Sequence, residues 1–104
     1  MKTDELAHKL HAGGVDEIVI ESMEGGIYLI RPSVEVVADV LVDEHGKLSS
    51  FQSLNAAKTQ LREMGGAESV PLYFRHSVAH DEMMGSGNDT ADDRMPITLE
   101  SQAQ

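Results

Sequence analysis

Residues 34–64 constrain the fold more than any other part of the chain, because a strand pattern, a turn and a helix pattern follow one another there without interruption. In VEVVADVLV, Val34, Val36, Ala38, Val40 and Val42 occupy alternate positions, and Glu35, Val37, Asp39 and Leu41 the others. A period of two with β-branched enrichment predicts a strand over 34–42 with one buried face. Asp43-Glu44-His45-Gly46 supplies turn chemistry, since aspartate accepts hydrogen bonds from amides ahead of it and glycine tolerates a positive φ. Residues 47–51 are then expected to return antiparallel. Ser53 is placed as the N-cap of a helix over 53–64, with Leu54, Ala57, Leu61 and Met64 as its apolar stripe. Lys58 and Arg62 fall on the wet side, and Gly65-Gly66 is the stop.

The flanking segments supply the rest of a small domain. Residues 4–11 predict a short helix with Thr3 as cap, Leu6, Ala7 and Leu10 as the apolar edge and Gly13-Gly14 as the stop. So short a helix must dock on something to persist. Ile18 and Ile20 alternate with Val19 and Glu21, and Ile27-Tyr28-Leu29-Ile30 follows Glu24-Gly25-Gly26, which predicts a hairpin that Pro32 ends. Residues 71–78 read as another strand, with Leu72, Phe74, His76 and Val78 on one face and Tyr73, Arg75 and Ser77 on the other; His76 is expected to be half-buried. Residues 85–94 are glycine-rich and acidic and predict a mobile loop. Residues 95–99 suit a final edge strand that tolerates Pro96, and 101–104 a disordered tail.

Composition narrows the classes of function. With 104 residues the chain makes one domain, over 1–100, around a modest and mostly aliphatic core. It contains no cysteine, so disulfides, thiolate metal sites and a cysteine nucleophile are excluded together. Eighteen acidic against eight basic residues give a formal charge of −10, which repels phosphate backbones and anionic membranes. No apolar run has the length of a membrane span, and MKTDELAHKL lacks the basic-then-apolar order of a secretory signal, so a cytoplasmic protein is expected.

Residues with chemical potential are few. His76, His80, Asp81 and Glu82 combine imidazole and carboxylate in one segment, a donor set suited to a divalent transition metal. HSVAH lacks the glutamate of a metalloprotease helix, and the acids of 89–93 lack the ligand spacing of a calcium loop. His8 and His11 sit three apart on the first helix, where exposed histidines are common. No serine is framed as a nucleophile elbow, and EGG lacks the lysine and the following helix of a phosphate loop. No catalytic residue and no cofactor is therefore assigned.

At EGGIYLI, LVDEHGK, FQSLNAAKTQL, HDEMMG and PITL the chain resembles a family of small uncharacterised gammaproteobacterial proteins, classed as a domain of unknown function. That resemblance implies no activity, substrate or cofactor, and it directs attention to Asp81, Glu82, Met83 and Gly85, which match the family's DEM-x-G stretch. Strands followed by F-x-S-x-x-x-A-x-x-x-L are also similar to small modules in which a three-stranded sheet packs one helix, including the DNA-reading arm domains of integrases. Those are basic where this chain is acidic, so the likeness implies packing and not a shared function.

These observations predict an α+β domain: an antiparallel sheet of four to five strands, the helix over 53–64 across one face, and a short N-terminal helix. The expected function is non-enzymatic and acts through protein contacts, including self-association as a homodimer, because a small sheet has exposed edges. Two other readings carry their own chemistry. One is a metal-binding domain using His76, His80, Asp81 and Glu82, and the other is an acidic imitation of nucleic acid that engages a basic partner.

Overall fold

The structure is a computed structural model that describes residues 1–76 and 94–99. Its elements in chain order are α1 (Thr3–Ala12), β1 (Glu17–Met23), β2 (Ile27–Val34), β3 (Val37–Ala38), β4 (Ser50–Phe51), α2 (Leu54–Met64), β5 (Leu72–His76) and β6 (Met95–Ile97), with a 3-10 turn at Ala67–Ser69 before β5. The strands form one sheet in the order β3-β2-β1-β5-β6, with β4 paired to β2 beside β3. The α+β architecture expected from the sequence is present. His80, Asp81, Glu82, Met83 and Gly85, the loop expected at 85–94 apart from Arg94, and the tail at 101–104 lie outside the described residues.

β1 is the organising strand. EIVIESM is buried at every position but its two ends, as a strand with neighbours on both sides and side chains covered on both faces requires. Through the Glu24-Gly25-Gly26 turn it pairs antiparallel with β2, from Met23 opposite Ile27 to Glu17 opposite Ser33. On its other side it pairs parallel with β5, from Ile18 opposite Leu72 to Ser22 opposite His76. The sheet is therefore mixed and not wholly antiparallel. A parallel neighbour requires a long crossover, and the connection through α2 and the 3-10 turn supplies one. β6 closes the edge antiparallel to β5, with Pro96 opposite Tyr73 on the outermost strand, where its missing amide costs no ladder bond.

The strand expected over 34–42 is the main departure. β2 does not end at Pro32 but continues to Val34, and the chain then reverses at Glu35-Val36, with φ values of 55° and 60°. The returning segment runs back along β2: the Asp39 amide donates to the Pro32 carbonyl and the Leu41 amide to the Ile30 carbonyl, both at 2.9 Å. Backbone N–H and C=O of one residue point to the same side of a strand, so the amide that Pro32 lacks belongs to this sparsely paired side. The reversal also changes which valines face inward. Val36 is 92% exposed, whereas Leu41, on the opposite face of the expected strand, is 1% exposed and belongs to the core.

The turn at 43–46 forms as expected. The Asp43 carboxylate accepts from the amides of His45 at 2.8 Å and Lys47 at 3.0 Å, and Val42 bridges to Leu48. The two backbone donors, Lys47 first, hold the Asp43 carboxyl below its usual range. The return strand is shorter than expected, however, and β4 pairs with β2.

α2 begins where the cap predicts, with the Ser53 hydroxyl accepting from the Ala56 amide at 3.0 Å. Ala57 and Leu61 are fully buried, and Leu54 and Met64 pack on the same core. Lys58, expected on the wet side, is buried. Arg62 is exposed along its helix and donates to the Leu99 carbonyl at 2.8 Å. α1 docks through Leu6 and Leu10 and ends at Gly13; its N-cap is Lys2, without a side-chain cap, in place of the expected Thr3. The two helices touch where Gly66, at φ +86°, lies against the Leu10 carbonyl, 3.2 Å from where a Cβ would stand, so only glycine fits there. The His11 Nε2 adds a hydrogen bond with the Met64 carbonyl at 3.1 Å.

Two outcomes test this packing. Leu61→Ala should lower unfolding free energy by about 3 kcal/mol in denaturant melts, since Leu61 is fully enclosed. A native Asp43 pKa below the unfolded value means its stabilisation is complete above about pH 4 and is lost as pH falls through the native value. The stability gap between the wild type and Asp43→Ala should therefore narrow steadily when the melts are repeated at lower pH.

Candidate functional site

The two faces of the sheet are unequal. Ile18, Ile20, Ile30 and Leu72 join Leu6, Leu10, Ala57 and Leu61 in the core. The alternate residues of the same strands face the other way: Glu17, Val19 and Glu21 on β1, Leu29 and Arg31 on β2, and Tyr73 and Arg75 on β5. Register sets Val19 between Arg31 and Tyr73, and Glu21 between Leu29 and Arg75. Val19 and Leu29 are buried yet stand outside the main core cluster.

Glu21 is the centre of this second face. It is only 4% exposed, and both carboxylate oxygens are engaged by guanidinium groups from the two flanking strands. The Arg31 Nε donates to Oε1, and the Arg75 Nη2 lies 3.5 Å from Oε2. A buried carboxylate costs several kcal/mol unless it is paired, and here two cations supply the compensation. The arginine side chains themselves remain 36% and 45% exposed. Beside them the Arg94 Nη1 donates to the Glu17 Oε2 at 2.6 Å, and its guanidinium lies 4.5 Å from the centroid of the Tyr73 ring, within cation–π range.

A second unusual feature lies at the far end of β2. Val36 at φ 60° is a β-branched residue in the left-handed region, a conformation that costs about 1–3 kcal/mol and that glycine or asparagine adopts with less strain. The Asp16 carboxylate holds the turn by accepting from the Val36 amide at 3.0 Å. The side chains of Val36 and Val37 are 92% and 65% exposed, and the two-residue β3 is the end strand of the sheet.

Of the residues singled out for metal binding, His76 is the last residue of β5, opposite Ser22, and is exposed where half-burial was expected. His80, Asp81 and Glu82 lie outside the described residues. Among the described residues no group of three or more His, Cys, Asp or Glu side chains is arranged to hold a metal ion. His11 is turned to the Met64 carbonyl, while His8 is exposed. Among the described residues no helix is long and apolar enough to cross a membrane.

The sequence pattern sets Glu21 opposite in phase to Ile18 and Ile20, and Arg75 on the face opposite Leu72 and Phe74, but it neither singles out Arg31 nor brings the three together. Their alternation was visible; the parallel pairing that sets Arg75 beside Glu21 was not. The Val36 turn went unnoticed because valines at alternate positions signal a continuous strand.

The chain belongs to a family of unknown function (DUF6482), which it matches over residues 1–104. Comparison with curated proteins and with solved structures gives no match.

The two acidic residues of this face should respond differently to neutralisation. Glu21→Gln leaves Arg31 and Arg75 without a buried counter-charge and should cost about 2 kcal/mol of unfolding free energy, reduced from the fully buried case by the exposure of the arginines. Glu17→Gln, at a more open pair, should cost less than about 1 kcal/mol. Chemical denaturation of both variants under one condition gives the comparison.

Proposed function

We propose that this member of a family without an assigned activity acts non-enzymatically, through protein–protein contact, and that the Val36-Val37 turn with the adjoining sheet edge is part of the contact. The observation that carries the reading is Val36. A β-branched residue in the left-handed region, with nearly all its side chain in water, is costly twice over: the backbone is strained and the apolar surface gains nothing in the monomer. Such a residue is accounted for if its side chain is buried against another surface.

A second copy of the chain is the partner that the edge geometry favours. β3 ends the sheet, its chain is short, and an isologous pairing would place Val36 and Val37 of each copy against the other. Charge opposes such pairing, since each copy carries a formal −10. An apolar contact between like-charged copies should therefore tighten as salt screens the repulsion, which separates it from a contact held by opposite charges.

Sedimentation equilibrium across a concentration series tests this. The wild-type mass should rise toward the dimer with concentration, and more so at higher salt. Val36→Gly should raise monomer stability by about 1 kcal/mol as strain is relieved, while abolishing the association. Wild-type protein that stays monomeric at every concentration and salt, or a glycine variant that associates as the wild type does, would overturn the proposal.

A further inference from the structure

We infer that Arg31 and Arg75, clamped by the buried Glu21 between them, form a binding site for a single carboxylate group. This is independent of the contact at Val36, on a different part of the sheet. Arg31 uses only its Nε, and Arg75 only its Nη2, in pairing with Glu21. The remaining N–H groups of each guanidinium have no protein partner among the described residues, although both side chains are more than a third exposed. A guanidinium presents five donors in a planar fork, so each retains donors directed away from the glutamate.

The arrangement is selective in charge and in geometry. Two guanidinium groups against one carboxylate leave one net positive charge, which a monoanion neutralises and a phosphate dianion over-compensates. Glu21 is buried on a central strand and holds the two cations from opposite sides, so their spacing is set before a ligand arrives. Oxyanions with two oxygens in one plane match such forks through paired charge-assisted hydrogen bonds. The chain's overall charge of −10 opposes polyanions at long range, which favours an isolated carboxylate over a nucleic-acid backbone. That carboxylate belongs either to a free small molecule or to an acidic side chain of a partner protein.

The test is an acetate titration of the uniformly nitrogen-15-labelled full chain, following the arginine Nε–Hε resonances and holding ionic strength constant with chloride. The resonances of Arg31 and Arg75 should shift saturably with acetate and not with chloride alone. Arg75→Lys keeps the charge and an exposed side chain but lacks the fork, and should bind acetate about tenfold more weakly. A short polyglutamate peptide at equal carboxylate concentration distinguishes the sources: tighter binding than acetate assigns the site to a partner's side chain, and equal binding assigns it to small carboxylates. No saturable shift at either arginine, unchanged affinity in the lysine variant, or phosphate binding more tightly than acetate would overturn the inference.

Discussion

The placement of β1 between an antiparallel and a parallel neighbour is the constraint on which the rest of the structure depends. Because β2 reaches it through a tight glycine turn and β5 only after a helical crossover, α2 must lie across the sheet for β5 to arrive in register. Ile18 and Ile20 then share one core with Leu61 and Ala57, to which α1 adds Leu6 and Leu10. On the other face the same pairing brings Arg31 and Arg75 to either side of Glu21. One strand position thus fixes both the hydrophobic core and the charged cluster.

Local signals with a single physical meaning were legible in the sequence. Ser53 ahead of an apolar stripe predicts a cap, Asp43 with Gly46 a tight turn, and Gly13 a helix end, and each is found there. Signals shared by two conformations misled. The valines of 34–42 fit a strand, yet the chain turns at Glu35-Val36, which moves Leu41 into the core and Val36 into water. Spacing on α2 put Lys58 on the wet side, but tertiary packing buries it. Parallel pairing joins residues more than fifty positions apart, so the neighbours of Glu21 could not be read from local pattern.

Among the described residues, two positions on the sheet stand out against local preference. Glu21 puts a carboxylate in the buried middle of a central strand, and Val36 puts a β-branched residue where glycine is preferred. Natural sequences concentrate such violations at functional or strained sites. Each presents a group on the surface of the same sheet: Glu21 holds the guanidinium groups of Arg31 and Arg75, and the valine turn exposes apolar side chains. The positive cluster is set into a chain whose net charge is strongly negative.

The most direct measurement of the central claim is amide hydrogen exchange by mass spectrometry at low and high protein concentration. Peptides covering β1 should be the slowest at both concentrations, because their amides open only with the whole sheet. Peptides covering the Val36-Val37 turn should exchange rapidly when dilute and become protected when concentrated, as the turn and edge are buried between copies. Exchange at the turn that is equally fast at both concentrations would contradict the account, and leave the exposed valines without a partner in this chain.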